Sequence, residues 1–384
     1  MKSITRISVT AVAALAASAF FAASASAATA TADHSGQPHG YAQQSVFVQT
    51  DNLAGNALVA YTRNADGTLT LAGTYPTGGL GGMLTGSVAD HLASQGSLTY
   101  DPQHGLLYAV NAGSNTVSVF AITGNHVELR QVIASGGTFP VSIAVHDGVV
   151  YVLNALAGGS IQGYVVVHGD RLAPIPSWHR ALGLNPTATP QFVNTPGQVG
   201  FTSGGTQLVV TTKANGNDID VFNLAWSGAP SAAPVVNAEP GAVPFSFVPD
   251  GAHGLFLTEA GTDALVTFTV NPDGTVTQTA SSATGQAATC WVAAAGDVLY
   301  ASNAGSSTLS GFQDGASGLT ALGNTATDPG TVDASASADG HYLYAQTGVN
   351  GVLDEFRINS DGTLTAIGSQ SVPGAVGGEG IVAF

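Results

Sequence analysis

Short apolar runs recur along the chain, and each breaks off into a small polar residue. They are Val46-Phe47-Val48, Leu107-Tyr108-Ala109-Val110, Val150-Tyr151-Val152-Leu153, Leu208-Val209-Val210, Leu255-Phe256-Leu257, Leu299-Tyr300-Ala301 and Leu343-Tyr344-Ala345. A second strand-like segment follows each run after a few residues. A repeat of about 40 residues built from short strands predicts a β-propeller.

Each repeat divides into four strands. In the second repeat these are Ser97 to Tyr100, Leu106 to Val110, Thr116 to Ile122 and Val127 to Ile133. The third of them alternates, with Val117, Val119 and Ala121 on one face and Ser118, Phe120 and Ile122 on the other. Third and fourth strands are joined by Asn64-Ala65-Asp66-Gly67, Asn271-Pro272-Asp273-Gly274 and Asn359-Ser360-Asp361-Gly362. Asp-Gly supplies the positive φ that such a hairpin needs, and the ligand spacing of a calcium loop is missing.

First strands are expected at Leu98, Ile143, Val199, Phe247, Trp291, Ala334 and Ile381. The chain ends on Gly380 to Phe384 with no second strand after it, and Val46 starts the repeats with no first strand before it. The predicted fold class is therefore all-β: a seven-bladed propeller of four antiparallel strands per blade, spanning residues 45–384. Its C-terminal strand should pair into the N-terminal blade and so remove the open edges. Two insertions break the period, Leu80 to Gln95 and Pro174 to Pro196.

Composition adds a compartment. Lys2 and Arg6 precede an apolar stretch from Val9 to Phe21, and Ala25-Ser26-Ala27 is a small-residue cleavage site. Residues 1–27 read as a signal peptide, cleaved near Ala27, and 28–44 as a disordered leader. A secreted protein, extracellular or periplasmic, is expected, with no membrane insertion. The formal net charge of −16 excludes nucleic acid and anionic lipid as partners. The single cysteine, Cys290, lies in an apolar strand beside Trp291 and reads as an inert core thiol.

Alternating strand direction places the second-to-third-strand loops, the crossovers between blades and both insertions on one face. The second strands end there in Thr50, Asn111, Asn154, Thr212, Glu259, Asn303 and Thr347. Lys213, the only lysine after Lys2, stands among them, and Gln198, Asp333 and Glu379 mark the starts of first strands. Clustered carboxylates beside one ammonium can keep one acid protonated and another ionised near neutral pH. Glu259, Lys213, Asp333 and His91 are therefore the catalytic candidates. Asn111, Asn154, Gln198, Asn303, Arg180 and Glu379 are the candidates for holding substrate. No histidine pair has the spacing of a metal site, and no metal or cofactor is expected.

The stretch from Leu106 to Phe120, LLYAVNAGSNTVSVF, is echoed from Val298 to Thr308. With the Asn-x-Asp-Gly-Thr turns, it resembles the lactonase-type seven-bladed propellers, which include 6-phosphogluconolactonases and 3-carboxymuconate-cyclising enzymes. The resemblance spans the whole of 45–384. It implies Arg, His and Glu at the channel mouth for anionic substrates, and here the arginines do not fit that pattern. Arg63 and Arg171 fall near turns of the other face, and Arg130 and Arg357 towards the blade rims.

Two functions follow as expectations. The first is a lactone hydrolase or cyclase acting on a neutral or weakly charged small molecule, with Glu259 or Asp333 as base and Lys213 at the oxyanion. The second is a non-catalytic propeller that binds a glycan, peptide or cell-envelope component. A monomer is expected in either case.

Overall fold

Alternating apolar strands pair mostly with their neighbours in sequence, and the result is seven antiparallel sheets, six of four strands and one whose fourth strand is split in two. The computed structural model describes residues 44–384 except 124–125, 252–253 and 317. The expected signal peptide and all but the last residue of the expected leader lie outside the described residues.

Six blades run inner to outer in chain order; the inner strands are Leu98–Asp101, Pro140–His146, Val199–Phe201, Pro244–Asp250, Thr289–Ala295 and Thr331–Ala336. The remaining blade takes its inner strand from the C-terminus: Ile381–Ala383 pairs antiparallel with Ser45–Gln49, matching Val48 to Ile381 and Val46 to Ala383. Inner strands of successive blades lie side by side, and Ile381–Ala383 sits between Thr331–Ala336 and Leu98–Asp101. The ring thus closes through the chain ends, as the sequence pattern predicts.

One blade departs from the pattern. Its outer strand is split into Arg171–Pro174 and Arg180–Ala181, both paired with Ser160–Val167, around a single turn at Pro176–Trp178. The blade therefore extends to Ala181, and the second insertion leaves it several residues later than the sequence pattern suggests.

Apolar side chains from facing sheets fill the space between blades, and the repeated tyrosine adds a polar stitch. Tyr151, Tyr300 and Tyr344 are fully buried, and each donates its hydroxyl to a glycine carbonyl in the outer loop of the next blade. The acceptors are Gly228 at 2.7 Å, Gly362 at 2.8 Å and Gly67 at 2.8 Å. A buried phenol needs such a partner. Gly67 is required twice over, by a φ of +90° and because a Cβ there would overlap the Tyr342 ring. In the Asp-Gly turns, Asp66, Asp273 and Asp361 each accept from the main chain and hydroxyl of the threonine two residues on. Those carboxylates act as turn acceptors.

Candidate functional site

The first insertion decides the shape of the centre. After Asp90 the chain dips into the ring, and the following bonds fasten it to three blades. The Ser94 hydroxyl donates to Val141 O at 2.9 Å, and Trp291 Nε1 donates to Ser94 O at 2.6 Å. Gln95 clamps Val292, donating from Nε2 to its carbonyl (2.9 Å) and accepting at Oε1 from its N–H (3.0 Å). Gly96 N donates to Glu379 Oε1 at 3.0 Å. This strap crosses the channel and leaves a cavity on each side.

On the insertion-bearing face lies a cavity of about 460 Å³. Its walls come from the two insertions and from loops of four blades, with Phe192, Val243, Phe245, Cys290 and Trp291 prominent, and with Asp90 and Lys213 as its charged residues. The second cavity, of about 410 Å³, is the channel proper, where Gln95, Thr99, His146, Gln198 and Asp333 contribute polar groups.

Lys213 is placed by backbone geometry. The strand Gln207–Thr211 ends, and Lys213 takes a left-handed φ of 51° and opens a helical turn closed by Asn217 N on its carbonyl at 2.7 Å. This sends the ammonium inward, where it is 1% exposed. Nζ donates to Ala93 O of the first insertion at 2.5 Å and to Phe192 O of the second at 2.8 Å, and stands 5.1 Å from the Phe245 ring centroid. One side chain thus ties both insertions together. Burial pulls its pKa down to about 7 against the favourable charge of Asp90.

Asp90 was not among the expected site residues. Its Oδ1 accepts from Leu92 N at 2.6 Å and its Oδ2 from Ser94 N at 2.9 Å. Burial raises its pKa to about 6, while these amides and Lys213 favour the anion. The sequence held one signal, since Asp90 is the only acid in the first insertion.

The other buried acids meet against the strap, where Ser94 and Gly96 bond Glu379. Glu379 and Asp333 share a hydrogen bond, and burial raises both, Asp333 to about 7. Glu379 N donates to Asp51 Oδ2 at 2.9 Å, and Gln49 Nε2 donates to Asp51 Oδ1 at 2.5 Å. Asp51 is fully buried, and desolvation lifts it to about 8. Among the described residues, no group of three or more His, Cys, Asp or Glu could hold a metal.

The expected residues are therefore divided. Lys213 lines the upper cavity; Asp333 and Gln198 line the lower one, where Gln198 pairs with Phe247 N (2.7 Å) and O (3.0 Å). Glu379 is buried in the acid cluster. Glu259 lines neither large cavity. Strand alternation puts it on the face of Leu255 and Leu257, which packs towards the preceding blade, and it accepts from Thr262 Oγ1 at 2.7 Å. Burial raises its pKa. The His91 ring packs on Gly377, and burial lowers its pKa. Arg180 spends its guanidinium on the carbonyls of Ser177, His179, Pro230 and Ser231, away from both cavities.

Asn111 bonds to Thr77, Asn56, Thr116 and Ser118, and Asn303 to Thr289, Thr308 and Ser310. Asn154 Nδ2 donates to Ser135 O. All three hold loops, and none lines either large cavity. Burial pushes the Cys290 thiol up to about 12, so it stays protonated near neutral pH.

No helix of the described residues is long and apolar enough to cross a membrane. No curated protein matches the chain. Among solved structures, it resembles the periplasmic gluconolactonase PpgL of Pseudomonas aeruginosa, at 18% identity over 88% of this chain and 98% of the other, with a TM-score of 0.70. A Lactobacillus plantarum protein gives the same identity, coverage and score. A Bacteroides fragilis protein provisionally assigned as a 6-phosphogluconolactonase aligns at 18% identity over 87% and 97%, with a TM-score of 0.66. At such identity the likeness is one of fold. Residues 82–376 match the family described as Lactonase, 7-bladed beta-propeller, and the chain belongs to that family.

Proposed function

We propose that this propeller hydrolyses a lactone in the 460 Å³ cavity, with Asp90 as general base and Lys213 stabilising the oxyanion. The supporting observation is that a buried carboxyl and a buried ammonium line one substrate-sized cavity in an otherwise apolar wall. A water held by Asp90 attacks the carbonyl carbon and gives its proton to the carboxylate. The ring C–O bond then breaks, the departing alkoxide recovers that proton, and a hydroxy acid leaves. The reverse sequence closes a ring.

With a pKa near 6, Asp90 is ionised at neutral pH and still basic enough to take a proton. Two of the three Lys213 N–H groups go to Ala93 O and Phe192 O, and the third can serve the developing charge. The proposed place of action is outside the cytoplasm, which the pattern of Lys2, Arg6 and Ala25-Ser26-Ala27 supports.

A second reading, ligand binding without chemistry, is favoured by the same main-chain bonds, which make Lys213 a strut between the insertions and Asp90 a staple within the first. A pH-stat assay on aliphatic, aromatic and sugar lactones separates the two. The hydrolase reading expects turnover that falls ~10²–10⁴-fold in Asp90→Asn and stays near wild type in Glu259→Gln. Turnover of no lactone, or full turnover in Asp90→Asn, overturns it.

A further inference from the structure

We infer that the substrate of this cavity is an apolar lactone, its ring bearing an aliphatic or aromatic substituent, and that polyhydroxylated sugar lactones are excluded. The inference rests on the hydrolase reading for the reaction and on the cavity wall for the substrate class. At the ~30 Å³ that a water-sized group occupies in a liquid, the cavity holds about fifteen non-hydrogen atoms. That suits a small lactone ring with a chain of several carbons.

The wall offers such a ligand contacts and offers a polyol almost nothing. Phe192, Phe245 and Trp291 form its aromatic part, and Val88 and Val349, both exposed, stand at its rim. Its polar side chains are already engaged. Ser87 Oγ donates to Leu84 O at 2.9 Å, Trp291 Nε1 to Ser94 O, and Lys213 to Ala93 O and Phe192 O, while Asp90 accepts from Leu92 and Ser94 N–H. One polar function, the lactone carbonyl, can be met by the remaining Lys213 N–H. The several hydroxyls of a sugar lactone would be buried unpaired, each weakening binding about tenfold. A phosphate would meet a single ammonium already bonded to two carbonyls, where tight phosphate binding recruits several donors.

The test uses the whole protein and two readouts. Hydrolysis is followed by pH-stat for γ-lactones of four to twelve carbons and for glucono-δ-lactone, and binding of the matching lactams is measured by calorimetric titration. The inference expects kcat/KM and affinity to rise about fourfold per added methylene until the cavity is full. Glucono-δ-lactone should be at least 100-fold poorer than the best aliphatic lactone. Ala304→Phe and Ala260→Phe, which enlarge half-buried wall residues into the void, should move the optimum to shorter chains. The wild-type series stands by itself if either variant fails to fold.

A response flat in chain length, or preference for the sugar lactone, overturns the inference. Chain-length-dependent lactam binding with no lactone turned over supports the apolar ligand class and overturns the hydrolase reading.

Discussion

Replacing Asp51 by asparagine should stabilise the protein in mild alkali and change it little in mild acid. Asp51 is 0% exposed and its carboxyl titrates near 8 in the fold, against a reference value of 3.8. The sign follows from proton counting. Between pH 4 and 8 the folded state keeps this proton and the unfolded state has lost it, so stability falls as pH rises through that window. At about 1.4 kcal/mol per pH unit the ceiling is ~6 kcal/mol, and a core that relaxes or admits water should show about half. For a domain of this size ~3 kcal/mol corresponds to ~4 °C in Tm.

Asparagine can take over both bonds of the side chain. Its carbonyl accepts from Glu379 N, and its amide donates to Gln49 once that amide is flipped, which also employs the Gln49 Oε1 now buried without a partner. The left-handed φ of 49° suits asparagine as well. Thermal melts of both proteins at pH 5 and pH 8.5 provide the assay. The variant should melt within about 1 °C of wild type at pH 5 and about 4 °C higher at pH 8.5. An equal loss of stability at both pH values would refute the reasoning.

Two further outcomes are expected. Tyr344→Phe removes the hydroxyl bonded to Gly67 O and orphans that carbonyl, so chemical denaturation should show a loss of about 1–2 kcal/mol without a change in the far-ultraviolet spectrum. In Lys213→Met, the gain in stability that wild type draws between pH 7 and 10.5 should vanish from the melting curve. That gain exists because the unfolded lysine is protonated in that window and the buried one is not.

The fold was legible because a propeller writes its rules into every repeat. Tyr151, Tyr300, Tyr344 and the glycines of the outer turns are fixed by neighbours one blade away, and the orphan strand at Ile381 by Ser45–Gln49 of its own blade. The site was legible only in part, because it is assembled where the repeat stops. Lys213 could be picked out as the only lysine of the propeller. Asp90 was marked only as the one acid of the first insertion and Asp51 by nothing, since their burial depends on the path of residues 90–97 through the channel. Glu259 was singled out by type, as an acid at a position held by Asn or Thr in other blades. Strand alternation nevertheless turns it towards the preceding blade, and no strand count places it in the cavity. Arg180, expected in the second insertion to hold substrate, is instead tied to its own blade by the split outer strand.

The pH–rate profile of kcat/KM for an aliphatic lactone tests the central claim most directly. The account predicts a bell, with an acidic limb near the Asp90 value of about 6 and a basic limb near the Lys213 value of about 7. In Asp90→Asn the acidic limb should disappear along with most of the rate, and in Lys213→Met the basic limb. A profile in Asp90→Asn that keeps the wild-type acidic limb and rate would contradict the account.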